Sequence, residues 1–386
     1  MVDYARWNYP TDIRYGCGVI GDLGDLCREL SLTHPLFVTD PGLSNLGMTK
    51  DAVQCCRDAN IQLDIFAAIK SNPTLNNIQH GAELFRQGRY DSVIAFGGGS
   101  ALDAGKAIAL LSGQKYPLWD FEDIDDNWKK ADITSIPPII AIPTTSGTGS
   151  EVGRVSVITD EKKTLKRLIF HPNMLPSAVL LDPELTVGLS SKLTAATGMD
   201  ALSHNLEAYC SPSDHPMARG IAIEGCRLVS ENLTKVTKNG HDIEARGRML
   251  IAATMGATAF QKGLGAMHAL AHSIGGIFDN HHGTLNAILM PYVLVSNKNA
   301  VEQDIKYLSK CLNLGVTFDS FLEWVIVLRK ELEIPHTLSE INLSKTAARA
   351  IGKMAEKDPS ALTNPIIFTA EDYENIYLKS LSGDMN

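Results

Sequence analysis

A regular alternation of short strand-like and longer helical stretches fills the first half of this 386-residue chain and constrains its fold more than any other feature. The strand-like stretches are apolar, and each is followed by an amphipathic or Ala-rich stretch of helical length. Such alternation predicts a parallel sheet with helices on both faces. We predict strands at residues 12–18, 35–40, 61–69, 92–96 and 139–142. Helices are predicted at 23–30, 43–60 and 75–87, and a fourth follows residues 97–100 and ends at residue 111.

The strand pattern stops near residue 183, and long stretches rich in Ala, Leu, Met and Glu follow. A chain of this length exceeds what one ordinary core organises, so we expect two domains. We place the boundary at residue 183, with an α/β domain at 1–183 and an all-helical domain at 184–386. Predicted helices of the second domain cover residues 192–209, 217–237, 243–260 and 286–297.

Charge and cysteine content exclude several classes of function. The net charge is −9, and no basic stripe with interleaved aromatic residues is present, which argues against a nucleic-acid partner. Seven scattered cysteines without a C-x-x-C motif are typical of free thiols in a reducing compartment. Residues 1–16 lack the apolar core of a signal peptide, and no apolar run reaches membrane-spanning length. We therefore expect a cytoplasmic protein with no membrane partner.

Histidines concentrate in one short stretch of the second half. Four of the eleven histidines lie within residues 263–283, and almost everything between them is small or apolar. His268 and His272 are four residues apart, so a helix would place both on one face. His281 and His282 follow a Gly-Gly break that allows the chain to fold back. Because neutral imidazole is the commonest transition-metal ligand, the stretch indicates a metal site.

A second stretch supplies further ligands. Asp200 and His204 are also four residues apart, in another Ala-rich helical stretch. Together with His268 and one of His281 and His282, they would form a site of three imidazoles and one carboxylate, suited to divalent iron or zinc. Each histidine taken singly fits a hydrogen-bonded core histidine equally well. The two i,i+4 pairs and the His-His-Gly turn favour the metal site.

Two glycine-rich loops in the first half follow buried strands. Residues 97–100 (GGGS) join a strand to a helix, where backbone amides form an anion site suited to phosphate, although a tight turn explains the glycines as well. Residues 143–151 (PTTSGTGSE) follow the next strand, at the edge where α/β sheets bind ligands. Asp40 ends a third strand, where a carboxylate can hold an adenosine ribose or simply cap a helix. This arrangement favours NAD over NADP.

These pieces together resemble a known family, the iron-dependent (group III) alcohol dehydrogenases. The matching motifs are Asn-Pro-Thr at 72–74, GGGS at 97–100 with Asp103 and Lys106, the loop 143–151, AATGMDALSH at 195–204, and GAMHALAH at 265–272 with His-Gly at 282–283. The resemblance implies a dinucleotide-binding α/β domain at 1–183 and an all-α metal and substrate domain at 184–386, a fold shared with dehydroquinate synthase. It also implies a catalytic cleft between the domains and a homodimer or larger oligomer.

The resemblance further implies roles for individual residues. The metal ligands would be Asp200, His204, His268 and His282, because the family uses the histidine directly before the glycine. His272 would lie near the nicotinamide and relay a proton. NAD, rather than NADP, and a divalent metal, Fe2+ before Zn2+, would be the cofactors. The dinucleotide contacts would come from Asp40, Asn72, Gly98, Gly99, Ser100, Thr144, Thr145, Thr148 and Lys166.

The implied activity is an NAD-dependent alcohol dehydrogenase, in which hydride passes from a metal-polarised alcohol to the nicotinamide. The sequence looks most like the branch that includes 4-hydroxybutyrate dehydrogenases, and a plain primary alcohol or diol is the second candidate substrate. Lys262 or Arg154 would bind a substrate carboxylate, unless both charges are structural. Gly153 and the missing arginine after residues 364–365 depart from the family pattern and bear on the substrate alone. A dehydroquinate-synthase-like lyase and a non-catalytic metal or nucleotide binder are the alternatives.

Overall fold

A computed structural model describes residues 8–385 and divides the chain into two compact units. One unit comprises Tyr9–Thr145 and Gly149–Val187, and the other comprises Asn8, Ser146–Thr148 and residues 188–385 of the described chain. The first unit is α/β and the second is helical, so the predicted fold class is confirmed. Among the described residues, none of the helices combines the length and the apolar character needed to cross a bilayer.

The α/β unit is built on a six-stranded parallel sheet. The strands of this unit are β1 (Asp12–Tyr15), β2 (Pro35–Val38), β3 (Asp64–Phe66), β4 (Ser92–Gly97), β5 (Ile139–Pro143), β6 (Val155–Asp160), β7 (Leu165–Phe170) and β8 (Ala178–Leu181). Their order in the sheet is β1-β8-β5-β4-β2-β3, and every pair is parallel. The strands β4 and β5 are fully buried, which explains their unbroken apolar sequences.

The helices of this unit are α1 (Leu23–Glu29), α2 (Gly47–Asp58), α3 (Leu75–Gly88) and α4 (Gly99–Ser112). All four fall where the periodicity predicts them, as do β1 to β5, although most of these strands are shorter than expected. The predicted strand at residues 61–69 shortens to three residues because it lies at the edge of the sheet and has a neighbour on one side only.

Three strands lie outside the predicted set. The strands β6 and β7 form a separate antiparallel hairpin, and β8 inserts between β1 and β5 in the main sheet. The hairpin is hard to recognise because β7 carries two adjacent cations, in the sequence Leu-Lys-Arg-Leu-Ile-Phe. The strand β8 has only four residues, and a segment this short gives no measurable periodicity.

The helical unit contains eight α-helices in the described chain. They are α5 (Ser191–Cys210), α6 (Pro216–Lys238), α7 (Ile243–Ala259), α8 (Ala266–Phe278), α9 (His282–Cys311), α10 (Phe318–Glu331), α11 (Ala348–Ala355) and α12 (Ala370–Ser382). The helix α5 is buried on all sides from Thr194 to Tyr209, so it forms the centre of this unit. The helix α9 is much longer than the predicted 286–297, because it begins at His282 and ends at Cys311, with Pro291 inside it.

Candidate functional site

Two helices and the start of a third carry the predicted metal ligands. The central helix α5 presents Asp200 and His204, α8 presents His268, and α9 begins with His282. Gly283 allows the start of α9 to lie close against α5, because a Cβ atom at this position would lie 2.2 Å from the carbonyl oxygen of Ala196 on α5. The glycine that follows His282 is therefore required by the packing of α9 against α5.

The four predicted ligands converge in space. One ligand atom from each of Asp200, His204, His268 and His282 lies within 4.8 Å of the other three. The rings of His204 and His268 are stacked with centroids 4.6 Å apart, and the rings of His268 and His282 are 5.3 Å apart. Three of these side chains are buried and His282 is half-buried.

His281 has a different position from His282. It is the N-cap residue of α9, and its Nδ1 accepts a hydrogen bond from the backbone N–H of Thr284. The side chain is exposed, whereas His282 turns toward α5 and α8. The structure thus separates two adjacent histidines that residue spacing alone left equivalent.

The arrangement of donors and acceptors in the cluster suits a divalent cation. The side-chain amide nitrogen of Asn286 lies 2.9 Å from Asp200 Oδ1, 3.3 Å from His268 Nε2 and 3.1 Å from His282 Nε2. An NH2 group has two hydrogens, so it cannot satisfy three acceptors at once. A divalent metal ion accepts lone pairs from atoms of this kind, and three imidazoles with one carboxylate are a suitable ligand set for divalent iron or zinc.

Burial and neighbouring charges act differently on two of the histidines. Burial lowers the pKa of His204 to about 4, which keeps its imidazole neutral. Burial also acts to lower the pKa of His268, but the charge and hydrogen bond of Glu207, together with the charge of Asp200, raise it overall. A neutral imidazole is the form that binds a metal, so burial, the largest of the effects on this pKa, favours ligation by His204.

Glu207 is a functional candidate that our sequence analysis missed. It lies on α5, buried, and its Oε2 accepts a hydrogen bond from His268 Nδ1 at 2.6 Å. The signal was present in the sequence, because Glu207 follows Asp200 by seven residues, and positions i, i+4 and i+7 share one helical face. Helical spacing alone does not reveal that a histidine sixty-one residues later is its partner.

His272 lies beside the cluster. Its ring stacks on that of His282, with centroids 5.2 Å apart and planes 11° apart. Its Nδ1 lies 3.0 Å from Oδ2 of Asp358, a half-buried carboxylate. Asp358 was also missed, because an Asp-Pro-Ser sequence predicts only the helix cap that Asp358 also makes with the N–H of Ser360.

The two predicted carboxylate-binding cations have other contacts. Lys262 is buried and its ammonium group donates to the carbonyl oxygens of Tyr209 and Ser211, at the C-terminus of α5. Arg154 lies over the ring of Phe170, with its guanidinium carbon 5.6 Å from the centroid. Both contacts favour the structural interpretation over a role in substrate binding.

Asp40 follows β2 in the α/β unit, beside the glycine loop. Its Oδ1 accepts hydrogen bonds from the backbone N–H groups of Gly42 and Leu43, so it caps the turn after the strand. Its other oxygen lies close to Gly97, where a Cβ atom would be 3.6 Å from Oδ2. Gly97 has a φ of +143°, which side chains rarely adopt. Asp40 is thus both a cap and a neighbour of the candidate phosphate loop.

The other candidate nucleotide contacts of this unit follow β3, β4 and β5 or lie on β7. Gly98 is the N-cap of α4, so Gly99 and Ser100 form its first turn. Ser100 donates its hydroxyl hydrogen to the carbonyl oxygen of Ser71, and Lys166 Nζ lies 3.0 Å from Asn72 Oδ1. Thr144 and Thr145 continue directly from β5. Thr148 falls in the short segment that groups with the helical unit, where neighbouring Gly147 packs against Thr197.

A buried lysine and a half-buried aspartate hold the second loop of this unit. Lys106 on α4 donates to the carbonyl oxygen of Ser150 at 3.0 Å and pairs with Asp103 at 3.1 Å. Asp103 in turn accepts hydrogen bonds from the hydroxyl group of Ser150 and the N–H of Val157. These two motif residues therefore fix the loop and the hairpin to α4.

Comparison with known proteins identifies one family along almost the whole chain. The model of the iron-containing alcohol dehydrogenases matches residues 10–183, and that of the C-terminal region of the Fe-containing alcohol dehydrogenase family matches residues 194–381. A 4-hydroxybutyrate dehydrogenase of Cupriavidus necator is 36% identical over 384 residues, with 97% of this chain and 99% of that protein covered. The chain belongs to the iron-containing alcohol dehydrogenases.

Solved structures agree with this assignment. A 1,3-propanediol oxidoreductase superposes on this chain with a TM-score of 0.93 at 31% sequence identity. The superposition covers 98% of this chain and 100% of that one. A sulfoacetaldehyde reductase from Bifidobacterium kashiwanohense, in complex with NAD+, gives a TM-score of 0.90 at 26% sequence identity. This superposition covers 99% of this chain and 100% of the reductase. The predicted family and enzyme class are confirmed, and the chain is an oxidoreductase. The lyase and the non-catalytic binder are not favoured.

Proposed function

We propose that this chain is an NAD(H)-linked, metal-dependent dehydrogenase for a primary alcohol or a short hydroxy acid such as 4-hydroxybutyrate. The convergence of Asp200, His204, His268 and His282 carries the proposal, because this ligand set suits a divalent ion. The relative from Cupriavidus necator supports the hydroxy acid, and the 1,3-propanediol enzyme supports a neutral alcohol as the second candidate.

The proposed cofactors are NAD and a divalent metal, with iron(II) before zinc. Asp40 supports NAD over NADP, because a carboxylate beside the glycine loop would hydrogen-bond a ribose and repel a 2′-phosphate. The sulfoacetaldehyde reductase that was solved in complex with NAD+ supports the same choice. We assign the dinucleotide contacts to Asp40, Asn72, Gly98, Gly99, Ser100, Thr144, Thr145, Thr148 and Lys166.

When bound, the divalent ion would supply Lewis-acid polarisation of the alcohol oxygen. Three buried or half-buried imidazoles and one carboxylate, those of the four proposed ligands, would hold it. His272 takes up the hydroxyl proton at Nε2, because its Nδ1 hydrogen is directed to Asp358. A bound nicotinamide would supply the hydride acceptor, so that oxidation of the alcohol would give an aldehyde, reduced cofactor and one proton.

The proposed roles of the two domains, the location and the assembly rest on resemblance to the family. We assign nucleotide binding to residues 1–183 and metal and substrate binding to residues 184–386. The scattered free thiols support a cytoplasmic location. A homodimer or a larger oligomer is the proposed assembly.

Reduced-nicotinamide absorbance tests the proposal. Metal-stripped protein is refilled with iron(II) or zinc and given NAD with 4-hydroxybutyrate, butanol or 1,3-propanediol. We expect turnover on the hydroxy acid, and turnover on the neutral alcohols alone would replace the substrate but keep the reaction. NAD binding without turnover on any of them would contradict the proposed activity. A cofactor that is consumed and regenerated, with no net reduction, would instead indicate the lyase.

A further inference from the structure

Glu207 has contacts to the backbone of α8 and to one of its histidines. Its Oε2 accepts hydrogen bonds from the N–H of Gly265 at 2.8 Å and from His268 Nδ1 at 2.6 Å. Its Oε1 accepts a hydrogen bond from the N–H of Met267 at 2.7 Å. The side chain is only 6% exposed, so water does not compete with these three donors.

We propose that Glu207 is a positioning residue of the metal centre, which fixes both the tautomer of His268 and the place of α8. This inference rests on the proposed function, in which His268 binds a divalent metal. A carboxylate is an acceptor only, so the hydrogen of the neutral imidazole must lie on Nδ1. The lone pair is then on Nε2, the atom that faces Asn286 and the other ligands.

The charge of Glu207 has a second effect through the ring. A carboxylate that accepts from the remote nitrogen of a ligating imidazole raises the basicity of the coordinating nitrogen. Loss of such a partner typically lowers metal affinity by about 10- to 100-fold. Glu207 therefore contributes to metal binding although it does not belong to the four-ligand cluster.

A variant of Asn364 can distinguish the two parts of the proposed role, which are fixing the tautomer of His268 and holding α8 in place. Its Oδ1 accepts a hydrogen bond from the N–H of Ala266 at 3.0 Å, so it also holds the N-terminus of α8. The amide is buried and is fixed by Asn297 and by the carbonyl oxygen of Ile366. Asn364 is bonded to the same helix end as Glu207 but not to His268. A variant of Asn364 therefore loosens the helix and leaves the imidazole partner in place.

Glu207→Gln is the decisive variant. In one orientation its amide NH2 faces the N–H of Met267, and in the other it faces Gly265 and His268 Nδ1, so a donor always opposes a donor. We expect zinc affinity, measured by competition with a chelator, to fall by about 10- to 100-fold. Asn364→Ala should lose stability to urea and retain near wild-type zinc affinity. Equal loss of zinc affinity in both variants would overturn the orienting role.

A spectroscopic measurement tests the tautomer without the Glu207 and Asn364 variants. Nitrogen-15 spectra of histidine side chains in the metal-free wild-type protein distinguish the two neutral tautomers at a pH high enough for the imidazole of His268 to be neutral. We expect His268, assigned by its absence in His268→Ala, to carry its hydrogen on Nδ1. A hydrogen on Nε2 would overturn the inference.

The same set of variants distinguishes a failure of this inference from a failure of the proposed metal site. If His268→Ala binds zinc as the wild type does, the site itself is wrong and the role of Glu207 is lost with it. If His268→Ala loses zinc and Glu207→Gln keeps wild-type affinity, the site stands and only the role of Glu207 is overturned. NAD binding, followed by tryptophan fluorescence, should be unchanged in both variants.

Discussion

Asp358 Oδ2 lies 3.0 Å from His272 Nδ1, and both side chains are only 13% exposed. Because a carboxylate accepts and does not donate, this contact places the imidazole hydrogen on Nδ1 and the lone pair on Nε2. The Nε2 lone pair then belongs to a ring that stacks on His282, in keeping with the proposed role of His272 as a proton acceptor.

Replacing Asp358 by Asn should lower kcat by roughly 10- to 100-fold, since an amide also stabilises the opposite tautomer and general acid–base catalysis contributes about 10²- to 10⁴-fold. Asparagine still caps the turn at Ser360, so unfolding by urea should be little changed. Steady-state kinetics in His272→Ala provide the control. Asp358→Asn should have no further effect in that background, and an additive loss would contradict the pairing.

The adjacent histidines His281 and His282 offer a matched pair of variants. His282→Ala should lose one of four metal ligands and retain little metal after dialysis, as measured by atomic absorption. His281→Ala removes an exposed N-cap and should keep its metal, with a loss of roughly 1 kcal/mol in stability. Equal metal contents in the two variants would contradict the assignment of His282.

Asp40→Asn tests the cofactor preference. Asparagine retains an oxygen that can cap Gly42 and Leu43, but it removes the negative charge. We expect the ratio of kcat/KM for NADP to that for NAD to rise by about tenfold or more, which corresponds to about 1.4 kcal/mol. A wild-type enzyme that already prefers NADP would refute the role of Asp40, whatever the variant does.

Lys262→Met distinguishes a structural cation from a substrate-binding one. The ammonium group donates to two carbonyl oxygens at the end of α5, and hydrogen bonds from charged groups contribute roughly 1.5–3 kcal/mol each. We therefore expect a clear loss in the free energy of unfolding. The ratio of KM for 4-hydroxybutyrate to KM for butanol should stay constant. A selective rise in KM for the hydroxy acid would return Lys262 to the substrate site.

The stability of the α/β unit should depend on pH through Asp91. Burial by itself would raise the pKa of Asp91, but hydrogen bonds from Ser92, Thr33 and His34 outweigh it and lower the pKa. The unfolded-state value is about 3.9, so the ionised carboxylate stabilises the fold above about pH 4, and this contribution disappears as pH falls through the folded-state pKa. The stability difference between wild type and Asp91→Asn, from urea unfolding, should therefore shrink at low pH. The exposed Asp51→Asn provides the control, and a difference independent of pH would contradict the prediction.

Local periodicity in the sequence was sufficient to predict many of the helices, the buried strands and which site residues share a helical face. A helix repeats every 3.6 residues, so the spacing of Asp200 and His204, and of His268 and His272, indicates shared faces without any tertiary information. Buried parallel strands are likewise apolar throughout, which made β4 and β5 recognisable. The family resemblance added the choice of His282 over His281.

The remaining features depend on contacts between residues far apart in the chain. Glu207 meets His268 sixty-one residues later, and Asp358 meets His272 across eighty-six residues. No local pattern encodes such pairs, because they form only when α5, α8 and the segment after α11 pack together. The sequence by itself determined the two kinds of architecture and the ligand types. Tertiary packing decided which carboxylate orients which imidazole, and it placed Lys262 at the end of a helix.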